Sequence, residues 1–540
     1  MMKKYIMAFC LVAALPAVAQ ETYENANIVT SDLNGTARYV GMGGAMDALG
    51  AEISTITNNP AGLGLFRSSQ VSATAGLTLQ SEAQDFNNAS KAHADFDQVG
   101  FVWSNKDNGS SINLAFNYHK NRDFNYILSA AQDHLSPKAS QNALSYIKML
   151  ADPDESGAST YALNHKGNYY YGDFYYTSQI DNLYYNTFII DQDGVGGFNM
   201  ADAYNMNRAS KGYIGEYDFS VSGNINDRVY LGFTIGFQDV HYRGYSEYTE
   251  HLVSYDGPAV GNVTVFDERK IKGTGVNFKL GAIFRPIEES PFRIGVSFAS
   301  PTFYDLTTSN TTWLQNNTTV KAVNPNYVAS DSYDFRVNSP MKFGVSLGHT
   351  VGNYLALGAV YEYSDYGATN PRVKESDYYD WYYDEYYSSS SKDVAMKDHT
   401  EKTLKGVSTL KLGLEYKPVP EVALRVGYNY VSPMYNENGF KDAYRDSYGT
   451  NVASATDFTN WKATNRLTLG LGYTFGKFYA DLAYQYSTQK GDFCPFMDAY
   501  ADDYFIQDGQ LWVDEIDNYY TKTEVENNRH QFLVTLGYRF

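Results

Sequence analysis

From residue 69 to the C-terminus, apolar and polar positions alternate with a period of two, the mark of strands with two unlike faces. Val229, Leu231, Phe233, Ile235 and Phe237 alternate with Tyr230, Gly232, Thr234, Gly236 and Gln238. Leu467, Leu469, Leu471, Tyr473 and Phe475 run into Phe478, Ala480, Leu482, Tyr484 and Tyr486. The chain ends on Phe532, Val534, Leu536, Tyr538 and Phe540. The pattern predicts fourteen strands, at 70–80, 97–104, 110–120, 212–224, 228–242, 273–285, 292–300, 339–350, 354–364, 406–417, 421–431, 465–475, 477–488 and 529–540.

The connections segregate by length. Short turns lie near 105–109, 225–227, 286–291, 351–353, 418–420 and 476. Long polar connections occupy 81–96, 121–211, 243–272, 301–338, 365–405, 432–464 and 489–528. Short turns on one side and long loops on the other, with an even strand number, predict an all-β, 14-stranded antiparallel transmembrane β-barrel in a bacterial outer membrane. Strands of about 9–11 residues suit a tilted crossing. In a soluble sandwich the apolar face would pack into a core, and loops would not need to sort by length.

Glycines refine the barrel. Gly232, Gly281, Gly348, Gly358, Gly413, Gly427 and Gly470 fall on the parity opposite the apolar residues; Gly215 and Gly223 break the rule. Strand glycine marks either a close approach by other backbone or a bend, so these positions make room inside the lumen or set curvature alone. Aromatics on the apolar parity near strand ends, such as Phe284, Phe298, Tyr361, Tyr416, Tyr473 and Phe475, predict an interfacial girdle.

Composition now has a place to go. The chain has 540 residues, a net charge of −19 and only 19% charged residues, yet 50 tyrosines. Its mean hydropathy of −0.42 averages apolar strand faces with long polar loops. No stretch of about 20 apolar residues exists for a membrane helix, and the acidity disfavours a nucleic-acid partner. Lys3 and Lys4, the apolar run Tyr5 to Leu15 and Ala17-Val18-Ala19 read as a signal peptide over 1–19. Cys10 lies inside that run, which leaves Cys494 alone in the mature chain and permits no intramolecular disulfide.

Residues 20–68 do not alternate. They read Asp32-Leu33-Asn34-Gly35-Thr36-Ala37-Arg38, then Gly41-Met42-Gly43-Gly44-Ala45, then Asn58-Asn59-Pro60-Ala61-Gly62-Leu63. A small-residue stretch, Asn-Pro-Ala-Gly-Leu and then a strand resembles the N-terminal hatch of the FadL-like outer-membrane transporters of long-chain fatty acids and hydrocarbons. Gly281 to Pro301 is similar to that family's mid-barrel hairpin. The resemblance implies a monomeric barrel over 69–540 whose lumen is plugged by a hatch at 20–68, with Asn59, Pro60, Ala61 and Gly62 at the hatch motif. It implies a hydrophobic small molecule as ligand, an outer-membrane lipid environment and no cofactor. Phe540 resembles the C-terminal aromatic that the barrel-assembly machinery reads. Long tyrosine-rich loops depart from the family pattern. Within the motif, Pro60 restricts Asn59 to extended geometry, and the Asn side chain can bond turn backbone. That supports a structural turn cap or a transport role.

The connection at 121–211 carries Phe124, Tyr126 and Leu128, then Leu144, Ile147 and Leu150 at helical spacing. By the resemblance this is the ligand-capture groove; by its spacing alone it is an amphipathic loop helix packing on the rim. Two tyrosine tracts, 169–176 and 378–387, fall in predicted outer loops. Enzyme motifs are missing: nine histidines show no metal-binding spacing, and there is no Gly-x-Ser-x-Gly elbow. The alternatives to a channel are a scaffold for secretion or surface assembly, and haem uptake, for which His93, His119 and His134 would be the ordinary ligand candidates.

Overall fold

The computed structural model describes residues 21–107, 110–150, 160–163, 169–171, 178–189, 197–254, 258–322, 324–375, 378–382, 385–387, 389–441, 447–507 and 510–540. The signal segment at 1–19 lies outside the described residues, as do residues 172–176 of the tyrosine tract at 169–176. No helix among the described residues is long and apolar enough to cross a membrane.

Fourteen strands close into one antiparallel barrel. In chain order they are β1 (Gln70–Gln80), β2 (Ala92–Asp107), β3 (Ser110–Asp123), β4 (Met200–Ile225), β5 (Val229–Val253), β6 (Ala259–Phe284) and β7 (Arg293–Ala299). The second half comprises β8 (Lys342–Val351), β9 (Leu355–Asp365), β10 (Gly406–Val419), β11 (Val422–Val431), β12 (Phe458–Phe475), β13 (Phe478–Cys494) and β14 (Thr523–Arg539). Each pairs with the next, and β14 pairs with β1 from Arg539↔Gln70 to Arg529↔Gln80, which closes the ring. The amide of Phe540 donates to the carbonyl of Ser69 (3.0 Å) and fastens the last residue to the start of the barrel.

All fourteen expected strands are present, and several run further than their apolar alternation. On β5 the outward residues Leu231, Phe233, Ile235 and Phe237 are exposed and apolar, while His241 and Arg243 are exposed and charged or polar. The apolar stretch 229–237 spans roughly 30 Å of strand, which at the tilt of a barrel gives an apolar band about 25 Å tall. Beyond it β4, β5 and β6 continue as an upright wall, 26, 25 and 26 residues long in total. Strands Phe303–Thr318 and Val328–Asn338 extend this wall, the first pairing with β6 above the point where β7 leaves it. The expected loop at 301–338 is therefore largely a hairpin. On the short-turn side, Phe475, Phe478, Tyr538 and Phe540 form a run of neighbouring rings with centroids 4.7–6.1 Å apart.

The long connections carry a core of their own. Helices α1 (Thr22–Val29) and α2 (Ala37–Gly41) belong to the N-terminal segment; helix α3 (Gln141–Leu150) buries Ala143, Leu144 and Ile147 against Met200, Phe496, Met497 and Ile516. Helix α4 (Gln179–Tyr184) starts on Ser178, whose capping box uses Asp181. The Lys148 ammonium meets the buried Asp181 carboxylate at 2.6 Å and joins the two helices.

The N-terminal segment, residues 21–66, contacts inward-facing positions on strands all around the ring, so it lies inside the barrel. Gly348, Gly358, Gly413 and Gly427 are register partners across β8, β9, β10 and β11. A Cβ on Gly358 would overlap the Ala45 carbonyl, one on Gly413 the Met42 carbonyl, and one on Gly427 the Gly43 amide. On the opposite side Gly232 meets Pro60 and Ala61, and Gly281 meets Asn59. Lumenal glycine here is close approach of two backbones, beyond any effect on curvature.

Candidate functional site

Inside the barrel, the segment is fastened by polar contacts to several strands. The Ala37 amide donates to Thr535 Oγ1 (2.7 Å), and Asn113 Nδ2 donates to the Leu63 carbonyl (2.6 Å). Arg38 donates from Nε and Nη2 to both oxygens of Glu415 (3.0 and 3.2 Å). Arg425 in turn holds Glu415 and Asp481, each at 2.6 Å. Removing water from such charges is costly, and each is matched by a fixed partner. Asn59 is fully buried, accepts from the Ala61 amide (3.1 Å) and opens the 3₁₀ turn Pro60–Leu65, which includes Gly62.

Above the segment lies a chamber of about 350 Å³, within the range of small-molecule pockets. Its floor is the stretch Glu21–Asn34, including α1 (Thr22–Val29). Nine aromatic side chains line it, among them Tyr23, Tyr126, Tyr242 and Trp461. Eight basic and six acidic side chains line it as well, the reverse of a chain with 42 basic and 61 acidic residues. A second cavity of about 160 Å³ lies against the same Ser31–Asn34 stretch and reaches His119, Glu216, Lys279, Glu362 and Lys411.

The residues expected to bind ligand separate into two groups. Phe124, Tyr126 and Leu128 line the chamber. Leu144 and Ile147 are fully buried in the cluster beneath α3, away from either cavity's lining, and the side chain of Leu150 lies outside the described ones. Phe124 also packs edge-on against Tyr242 (5.2 Å between centroids), and Tyr126 against Trp461 (5.8 Å). The chamber's charged residues, Asp32, Arg122, Arg466 and Arg529, were not expected. The signal of the three arginines in the sequence is a charge at a strand position, which alternation alone does not rank; Asp32 lies on the non-alternating segment and has no such signal.

Among the described residues, two clusters have the make-up of metal sites: His93 with Asp95 and Asp123, and His119 with Glu216 and Asp218. Each already holds an ammonium. Lys120 Nζ lies 2.8 Å from Asp95 and 3.3 Å from Asp123, and Lys279 Nζ lies 2.8 and 2.9 Å from Glu216 and Asp218. A lysine therefore supplies the cation that balances these carboxylates. His93 Nε2 is held by Asp123 at 3.0 Å, and both His119 nitrogens face carboxylates. His134 is exposed on the loop side.

The fold and its filled lumen define a membrane-type fourteen-stranded β-barrel with an internal chamber. No family model and no curated protein matches the sequence. Among solved structures the chain is similar to the toluene transporter TbuX of Ralstonia pickettii, at 12% identity over 94% of this chain and 99% of that one, with a TM-score of 0.45. It is also similar to a FadL homologue from Pseudomonas aeruginosa (12% identity, 98% and 100% covered, TM-score 0.48). The toluene transporter TodX of Pseudomonas putida is a third (9% identity, 95% and 100% covered, TM-score 0.44). These are likenesses at low identity, and the functional reading rests on the chain's own geometry.

Proposed function

We propose that the protein is a bacterial outer-membrane channel for uptake of hydrophobic small molecules, such as long-chain fatty acids or aromatic hydrocarbons. Residues 20–68 serve as its hatch. The observation that carries this reading is the chamber: a ligand-sized space inside a lipid-facing barrel, capped by loops and floored by a segment that fills the lumen below. A protein that only scaffolded partners would not need to keep such a space open. Phe124, Tyr126 and Leu128 supply apolar contact for a ligand body, and the Asn59-Pro60-Ala61-Gly62 turn seats the hatch on the wall. The barrel works as a monomer in outer-membrane lipid and is inserted by the assembly machinery through Phe540.

Uptake of labelled long-chain fatty acids and toluene by cells with and without the gene tests the proposal. Faster uptake of at least one class in the expressing cells is expected. Equal uptake across the panel would remove the transport claim.

A further inference from the structure

The outward face of the wall formed by β4, β5 and β6 changes character over a short distance. Phe237 and Val276 are register partners at the loop-side end of the apolar band, both exposed, and Phe303 pairs with Val276 on the next strand. Further toward the loops, the exposed Tyr213 on β4 pairs with His241, their rings 5.3 Å apart, and His241 pairs with Lys272 on β6. The next outward row is Lys211, Arg243 and Lys270, three cations directly opposite one another on three adjacent strands. His241 and Arg243 follow Phe237 by about 13 and 20 Å of strand, which at a barrel's tilt places the cations roughly 10–15 Å outside the apolar band. Tyrosine at the edge of the band is in its usual interfacial position.

No carboxylate balances these cations. Among the described residues, the exposed Arg243, Lys270 and Lys272 form neither an ion pair nor a side-chain hydrogen bond. Lys211 is half-buried and donates to the Asn88 carbonyl. Most carboxylates nearby are engaged elsewhere. Asp239 holds His241 (2.9 Å), Asp305 holds Arg336 (2.8 Å), Asp334 accepts from Thr307 Oγ1 (2.6 Å), and Glu247 accepts from the Tyr245 hydroxyl (2.7 Å). Glu268, one row beyond Lys270, is exposed and among the described residues makes no ion pair. Like charges directly opposite across a ladder repel. In a chain with a net charge of −19 such a row runs against the prevailing sign, and an external anion relieves it.

We propose that Lys211, Arg243, Lys270 and Lys272 form a seat for the phosphates of a phosphorylated glycolipid in the outer leaflet of the membrane. The headgroups of that leaflet begin just beyond its hydrocarbon, which is the level at which the row stands. The acyl chains of the glycolipid lie along Phe237, Val276 and Phe303, and the apolar wall leads directly up to the cations. The planar fork of Arg243 matches two phosphate oxygens, while the lysines act as point charges. A free phosphate meets the cations but gains nothing from the apolar wall. The glycolipid sits on the outside of the barrel, apart from the lumenal chamber. The seat needs only a barrel set in the membrane with its loops outward, so loss of the transport claim leaves it standing.

Native mass spectrometry of the purified full-length protein in a non-ionic detergent tests it, with diphosphoryl lipid A, its dephosphorylated counterpart and inorganic phosphate as probes. The wild type should prefer diphosphoryl lipid A to the dephosphorylated form by roughly a hundredfold, taking about fivefold for each cation beside a charged headgroup. This comparison needs no variant. Arg243→Gln/Lys270→Gln/Lys272→Gln should lose the preference. Lys321→Gln/Lys392→Gln/Lys402→Gln, which removes three exposed lysines elsewhere on the loop side, should keep it. Heat-modifiable mobility checks that both variants fold. Raising the salt concentration should weaken the preference, since the row is exposed to solvent. Equal binding of the two lipids, equal loss in the two triple variants, or inorganic phosphate bound as tightly as the phosphorylated lipid would overturn the proposal.

Discussion

Position 358 tolerates no side chain. A Cβ there would overlap the Ala45 carbonyl, while the neighbouring Ala359 faces the lipid side of the same strand. Gly358→Val should therefore cost about 1–3 kcal/mol, as overpacking of a filled interior does, and speed hydrogen exchange in residues 42–48. Ala359→Val should leave both unchanged. Unaltered exchange in Gly358→Val would contradict the close approach of the two backbones. The glycine parity was readable from the sequence, because a missing side chain on one face of a strand is visible in the alternation. Alternation does not distinguish room from curvature, since the partner, Met42 to Ala48, is far away in the chain. The lumenal charges were harder. Lys120, Glu362, Lys411, Arg425 and Asp481 sit on the polar parity, where nothing in the order of residues distinguishes an ion-pair network from a wet lumen.

At the scale of elements, the alternation fades where the membrane ends. On β5 it weakens after Phe237 because the outward positions turn polar, as at Asp239, His241 and Arg243, while Val240 and Leu252 stay buried on the inner face, yet the ladder continues to Val253. Strand ends are thus legible only as far as lipid enforces an apolar face. The loop elements beyond it hold a pH-sensitive joint. Glu250, near the top of β5, is buried and accepts from the Gln141 amide (2.6 Å) and from the Tyr248 hydroxyl (2.9 Å). Burial raises its carboxyl from the ordinary 4.5 to about 7, against the opposing effect of these hydrogen bonds. A folded-state value above the unfolded one means the folded form binds the proton more tightly. Stability from this group is therefore complete below pH 4.5 and is lost as pH rises through about 7. Amide exchange in α3 should speed up over that window, and Glu250→Gln should flatten the dependence. Exchange that slows with rising pH, after correction for its intrinsic rate, would refute this assignment.

For the whole molecule, the strand count, the loop asymmetry and the non-alternating leader were all written in the order of residues. The chamber was not, because it is assembled from strands β1, β3, β4, β5, β6, β10, β11, β12, β13 and β14, the loops above them and the segment below. The helical stripe of Leu144 and Ile147 shows the limit well. Its spacing announces an apolar face, and only the surrounding Met200, Phe496 and Ile516 say that the face is covered. The central claim is that the N-terminal segment closes a passage through the barrel. Ionic current through single purified molecules in a planar bilayer tests it most directly, comparing the full-length protein with a variant lacking residues 21–60 whose folding is checked by heat-modifiable mobility. The full-length protein should stay near baseline and the folded deletion should conduct steadily. A folded deletion that carries no more current than the full-length chain would contradict the account.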